Sequence, residues 1–325
     1  MTVGSCTVEG AEKDPIPIMT TAMQNWLDIY FTSHDGLRLH ARHYPAPGSR
    51  RRTVLCLPGL TRNSRDFHPL ASFLSDPRNP HARAVVAVDY RGRGHSQWDE
   101  NWRNYALHTE LQDALDLVTI LGLHDLAVVG TSRGGLIAMM MACLRPASMG
   151  AVVLNDIGPV VERDGLVRMV ASVGRMPLPP TWEEATALIR DMSVRSFPAI
   201  PEEHWPEIAR QWLNDDRGRT SRGYDPNLSK ALSLIDGPMP ELWAQFKALS
   251  RLPAMAIRGE VSDVMSEATL SGMRLAHPDL TAVTVRGQGH APLLRDRSTL
   301  VAIADFLGRA DPVDHRAADR WHPAA

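Results

Sequence analysis

Gly130-Thr131-Ser132-Arg133-Gly134 carries the clearest chemistry in this sequence. It has the form Gly-x-Ser-x-Gly, placed between an apolar strand-like run, residues 126–129, and an apolar helical stretch, residues 136–144. In a sharp strand-to-helix turn the serine is held in a strained backbone geometry with its hydroxyl above the strand ends. The flanking glycines leave room where side chains would strike neighbouring backbone. A serine hydroxyl is a poor nucleophile until a base takes its proton. The base candidate among the 13 histidines is His290, in Gly287-Gln288-Gly289-His290-Ala291. Its loop follows a strand-like run at 281–285 and so reaches the carboxyl edge of the sheet, where open α/β sheets bind ligands. His34, His40, His43 and His81 are expected on surface hairpins or loops.

A neutral histidine acting as base needs its second ring nitrogen held, usually by a carboxylate. Asp263, in Arg258-Gly259-Glu260-Val261-Ser262-Asp263, is the preferred candidate because it lies just past the strand-like run 254–257. Glu260 is a nearby competitor. Asp156 is the alternative acid, since it ends the strand-like run 151–154. Capping the helix that begins near Ser266 is the competing use of Asp263.

The elements that must position these residues can be read from hydrophobic spacing. Residues 25–33 and 36–44 alternate around Asp35-Gly36, a hairpin signal. Short continuous apolar runs then occur at 53–57, 84–88, 126–129 and 151–154, with helical spacing at 64–74, 109–121 and 136–144. Continuous rather than alternating strands indicate a sheet covered on both faces, hence an α/β protein with a mostly parallel sheet. From 157 to 250 no strand pattern is visible, and Pro-punctuated helical pieces at 182–192, 202–213 and 240–249 replace it. The alternation resumes at 253–257, 266–276, 281–285 and 298–307. The organisation expected is therefore a core at 23–156 and 251–310, a helical insertion at 157–250, a flexible lead at 1–22 and a loose tail at 311–325.

Together these segments resemble the α/β-hydrolase superfamily over about residues 25 to 309. The order Ser132…Asp263…His290 matches the family's Ser…Asp/Glu…His. Leu57-Pro58-Gly59-Leu60 looks like its oxyanion-hole loop, although many members carry His-Gly where this chain has Pro58-Gly59. Asp89-Tyr90-Arg91-Gly92-Arg93-Gly94-His95-Ser96 resembles the D-x-R-G-x-G-x-S turn, and Gly287–His290 the G-x-G-H loop. The insertion resembles a cap between the sixth and seventh core strands. The resemblance implies an α/β-hydrolase fold with a mostly parallel eight-stranded sheet flanked by helices. It also implies an oxyanion hole formed by the N–H groups of Leu60 and Arg133. Asp89, His95 and Ser96 are then a structural turn rather than a second catalytic set. The Arg133 side chain is left with two uses, a substrate carboxylate or a structural salt bridge.

The expected function is a serine hydrolase cleaving a carboxylic ester of a small to medium, fairly apolar molecule. The alternatives are a C–C bond hydrolase of ring-cleavage diketones, a lactonase, or a non-catalytic small-molecule receptor. Ser132 argues against the relatives that open epoxides or cleave carbon–halogen bonds, which carry aspartate at the elbow. Trp182, Trp205, Trp212 and Trp243 lie in the insertion, and with Trp98 and Trp102 they are candidate pocket residues.

Composition narrows the remaining classes. The chain has 325 residues, 44% hydrophobic and 22% charged, with a formal net charge of −2. That is an ordinary globular composition, and it lacks the basic excess of a nucleic-acid binder. Three cysteines cannot make a disulfide scaffold, which points to a reducing, cytoplasmic setting. No run approaches the roughly 18 apolar residues of a membrane span. Zinc-ligand spacing, GxxxxGK[ST] and a strand-linked GxGxxG are all missing from the sequence. A small-molecule substrate is expected, with no cofactor, metal, nucleic-acid or membrane partner. Monomer and homodimer both remain open.

Overall fold

A computed structural model describes residues 24–232 and 240–312. The expectations for the lead 1–22, and for the tail beyond residue 312, lie outside the described residues. Along the chain run β1 (Leu27–Thr32), β2 (Arg38–Tyr44), β3 (Val54–Leu57), α1 (His68–Ser75), β4 (Val85–Asp89), α2 (Leu107–Ile120), β5 (Leu126–Thr131), α3 (Arg133–Leu144) and β6 (Met149–Asn155). The next part is α4 (Arg163–Ser172), α5 (Trp182–Ser193), α6 (Trp205–Trp212), β7 (Asn214–Asp216), β8 (Arg219–Ser221), α7 (Leu228–Leu232) and α8 (Trp243–Lys247). The alternation resumes with β9 (Ala254–Gly259), α9 (Glu267–Ala276), β10 (Thr281–Val285) and α10 (Arg297–Ala310).

Eight strands form one sheet in the order β1-β2-β4-β3-β5-β6-β9-β10. β2 runs antiparallel to both β1 and β4, and every other pairing is parallel. The continuous apolar runs have a direct cause, since alternate side chains enter two separate cores. Leu55, Val86, Val128, Val152 and Ala256 face a layer with α2, α3, α8 and α9. Val54, Cys56, Ala87, Val129, Val153 and Ile257 face a layer with α1 and α10. Each fully buried Val, Leu or Ile contributes roughly 1.5–3 kcal/mol, so both faces must be apolar for the sheet to persist.

The stretch between β6 and β9 is mainly helical and has a small core of its own, where α5 and α6 bury Ile189, Trp205, Ile208 and Leu213. Two features there differ from the sequence expectation. Helix α4 forms, and so does the hairpin β7–β8. The hairpin strands are three residues long and polar, so no alternation marks them. Their turn is set by positive φ at Arg217 (53°) and Gly218 (86°), the geometry that matches strand twist in a two-residue hairpin. Helix α8 packs Phe246 into the main core rather than onto the insertion.

Two expectations about surface groups are corrected. His40 is fully buried, with Nδ1 2.7 Å from Asp89 Oδ2 and Nε2 3.0 Å from Asp28 Oδ1. An alternating hairpin has a core side, and His40 falls on it. Asp311, at the start of the expected loose tail, is held by Arg83 at 3.0 and 2.9 Å and by Arg51 at 2.6 Å. Among the described residues no helix is long and apolar enough to cross a membrane.

Asp89, at the end of β4, is a hub. It also accepts the Ser64 N–H at 2.6 Å and the His95 N–H at 2.8 Å. Burial raises its carboxyl, but His40 and the remaining donors outweigh this and hold it well below the usual carboxylate range. Asp89→Asn is expected to cost about 2–4 kcal/mol, read by urea unfolding at neutral pH. Because the folded carboxyl is depressed, this stabilisation is fully present above about pH 4 and is lost as the pH falls through the depressed folded value.

Candidate active site

Parallel pairing sets Thr131 opposite Asn155 and Asn155 opposite Ile257. The residues that follow these strands therefore emerge side by side at one sheet edge. Ser132 leaves β5 at φ 51° and ψ −114°, a conformation that costs of the order of 1–3 kcal/mol for a residue with a side chain. It is held there because its N–H donates to Asn155 O at 3.0 Å and its carbonyl accepts from Gly135 N at 2.8 Å, starting α3. A Cβ on Gly130 would strike the backbone of Gly134, and one on Gly134 would strike Leu57 O. Gly130 is thus required by the close approach of α3 to the end of β5, and Gly134 by the close approach of α3 to β3.

Ser132 Oγ lies 2.8 Å from His290 Nε2, and His290 Nδ1 lies 2.7 Å from Asp156 Oδ2. With the Nδ1 proton directed at Asp156, Nε2 is free to accept the serine proton. Asp156 is fully buried. Its Oδ2 also accepts from Ser262 Oγ at 2.6 Å, and its Oδ1 from Gly259 N at 2.7 Å. A buried carboxylate needs such donors to stay charged.

The preferred acid of the sequence reading, Asp263, is not at this site. It pairs with Arg168 at 2.5 and 2.7 Å, half-exposed, and that guanidinium lowers its pKa. The physical reason is the turn after β9. The Ser262 hydroxyl occupies the place beside Asp156, and its Oγ accepts the Val264 and Met265 N–H groups at 3.2 Å each. Asp263 is left facing α4. The loop supplies a partner of the acid instead of the acid. Glu260 accepts the Gly287 N–H at 2.8 Å, outside the site.

Asn155 is a positioning residue that the sequence reading missed. Its Nδ2 donates to Thr131 Oγ1 at 3.1 Å and to Pro292 O at 2.9 Å, joining the serine turn to the histidine loop. Its only sequence signal is its place beside Asp156 at a strand end.

A buried carboxylate also connects the two positions expected to hold an oxyanion. Glu110 is fully buried and pairs with Arg133 at 2.5 Å and with Arg93 at 2.8 Å. Arg93 Nε in turn donates to Leu60 O at 2.9 Å. Burial pushes the Glu110 carboxyl up, but Arg133 and Arg93 outweigh it and hold it below its ordinary value. The Arg133 side chain is used on Glu110 and on Tyr105 O at 3.2 Å. It is the structural salt bridge, not a substrate reader. Ser96 donates to Asp89 O at 2.6 Å and accepts from His40 N at 2.9 Å, so its hydroxyl serves the turn it sits in.

Above Ser132 and His290 is a cavity of about 230 Å³, walled by Leu60, Met169, Val173, Phe197 and Trp212 among others. Of the six candidate tryptophans only Trp212 lines it. Trp205 and Trp182 pack into the α5–α6 core, Trp102 joins the cluster of Tyr105 and Tyr224, and Trp243 packs on the main core. Trp98 is 46% exposed. Trp182, Trp205, Trp102 and Trp243 put their large apolar area into these packed clusters, and Trp98 lies outside them.

Residues 52–260 match the model of the alpha/beta hydrolase fold family. The chain belongs to that family. A relative from Cupriavidus necator, the 3-hydroxybutyrate-oligomer hydrolase, is 29% identical over 281 residues, 84% of this chain and 94% of that protein. The 2-(acetamidomethylene)succinate hydrolase of Mesorhizobium japonicum is 26% identical over 78% of this chain and 87% of its own length. A crystal structure of an alpha/beta hydrolase from Novosphingobium aromaticivorans superposes with a TM-score of 0.81 at 35% identity, covering 89% of this chain and 100% of that one.

For this hydrolase, Asp156→Asn is expected to lower kcat on a turned-over substrate by about 10³–10⁴-fold. Asp263→Asn should stay within roughly threefold, because a half-exposed surface pair contributes little. Glu110→Gln, read as a kcat loss of about 10–100-fold with KM little changed, checks the positioning of the expected oxyanion donors.

Proposed function

We propose that this hydrolase cleaves a carboxylic ester of a small to medium molecule through an acyl-enzyme on Ser132. The observation that carries the reading is the unbroken hydrogen-bonded chain from Ser132 through His290 to Asp156, ending in the cavity. In this reading His290 takes the Ser132 proton as Oγ attacks the substrate carbonyl. The Leu60 and Arg133 N–H groups receive the negative charge that develops on the carbonyl oxygen. Arg133 is the first residue of α3, where backbone N–H groups lack intrahelical partners and the helix dipole favours an anion. His290 then gives its proton to the departing alkoxide. A water, deprotonated by His290, attacks the acyl group and returns Ser132. Asp156 keeps His290 oriented and balances its positive charge in both halves of the cycle. No step calls for a metal or cofactor.

The bond type is supported by the relative named for 3-hydroxybutyrate oligomers, since such an oligomer is a chain of carboxylic esters. The cavity supports an acyl group of a few carbons with apolar walls at Leu60, Phe67, Val173 and Phe197.

A fluorophosphonate probe is expected to label the wild type. Labelling should vanish in Ser132→Ala and persist in Ser96→Ala. In parallel, a panel of p-nitrophenyl esters, 3-hydroxybutyrate dimers, lactones and vinylogous diketones should show turnover of the esters. Turnover of the diketones alone would overturn the ester reading, and failure of the probe would overturn the serine mechanism.

A further inference from the structure

Arg62 stands in the wall of the same cavity, and its guanidinium is only partly used. A Cβ placed on Gly59 would lie 3.4 Å from Arg62 Cγ and 3.9 Å from Ser132 Cβ, so the two side chains flank one glycine. Arg62 Nε donates to Asp66 Oδ2 at 2.5 Å. Its guanidinium carbon lies 3.6 Å from the Trp212 ring centre, which fixes its plane. Among the described residues no oxygen pairs with its two Nη groups, although the side chain is only 19% exposed. Beside it in the same wall, Asp66 has its Oδ1 buried without a hydrogen-bond partner.

Three other shielded arginines are differently placed, and Arg93, which has one buried Nη without a partner, is not in the cavity lining. Arg91 binds Asp35, Asp99 and Asp113. Arg65 donates to Gln211 O, Leu213 O and Asn214 Oδ1. Arg133 has Glu110 and Tyr105 O. Arg62 alone among these four lines the cavity, and its Nη groups, which no described acceptor meets, are left to water or to a ligand oxygen.

We propose that Arg62 anchors a carboxylate carried by the substrate, so that the preferred substrates are short esters whose acyl or alcohol part ends in a free acid. The planar pair of Nη donors matches the two oxygens of a carboxylate. A second carboxylate beside Asp66 is compatible with a single guanidinium, as Arg91 demonstrates with three. The cavity of about 230 Å³, with Arg62 and Ser132 both in its lining, restricts the spacer between ester and acid to a few carbons. The kinetic part of this inference rests on the ester-hydrolase reading above, and the binding part does not.

The test compares esters differing only in the acid. Monomethyl glutarate against methyl pentanoate places it on the acyl side, and 3-acetoxypropanoate against propyl acetate on the alcohol side, with rates followed by pH-stat. The wild type is expected to favour the acid member of at least one pair by about tenfold in kcat/KM. Arg62→Gln should bring that ratio to about one, and Arg62→Lys should keep part of it. A wild-type ratio near one, or the same ratio in Arg62→Gln, overturns the anchor while leaving the hydrolase reading intact. Calorimetry on Ser132→Ala with monomethyl glutarate reads binding without turnover. Adding Arg62→Gln should weaken it about tenfold or more, and equal affinity, or no binding to Ser132→Ala, overturns the anchor. Arg62-dependent binding with no ester turned over by the wild type would instead remove the ester reading and keep the anchor.

Discussion

The site depends first on the parallel pairing of β5 with β6. Their register places Thr131 against Asn155, so the next residue on each strand, Ser132 and Asp156, starts from the same edge. Both residues leave their strands at positive φ, 51° and 55°. The chain turns sharply at each, and the side chains are thrown above the sheet rather than along it. His290 then needs only to descend from the loop after β10 to touch both. Asn155 holds this arrangement by reaching from β6 to the serine strand and to the histidine loop at once.

The strained turns persist because their surroundings leave no alternative. Glycines at 130 and 134 allow backbone to approach backbone where a Cβ would collide. The apolar layers on both faces of the sheet supply the free energy against which a few kcal/mol of local strain is stored. An active site at a sheet edge is therefore a property of the whole double-layered core.

Buried charge forms a second framework beneath the site. Asp89 gathers His40, Ser64 and His95, Arg91 gathers three carboxylates, and Glu110 joins Arg93 to Arg133. Each removes a charge from water only by pairing it closely, the condition under which buried ions are tolerated. Through Arg93 and Leu60 the last of these reaches the loop beside Ser132. Of the arginines in this framework and around it, Arg62 is the one that lines the cavity holding Ser132 and His290.

Much of this was legible in the chain itself. Gly-x-Ser-x-Gly and the glycine-flanked His290 are local patterns, because the turns they make are dictated by neighbouring residues. The alternation of apolar runs with helical spacing indicated the α/β sheet for the same reason. The β7–β8 hairpin was not legible, since its strands are too short and polar to show a period. The acid was not decided either. Asp156 and Asp263 each follow a strand, and which of them meets His290 depends on strand order and on where the Ser262 hydroxyl falls. The same holds for the arginines, for nothing local to Arg133 announces Glu110 and nothing local to Arg62 announces its place in the cavity lining. Sequence determined the backbone turns, whose geometry is settled within a few residues. Tertiary structure decided the partners, because a hydrogen bond requires atoms within about 3 Å, and only the packed sheet brings together residues more than a hundred positions apart.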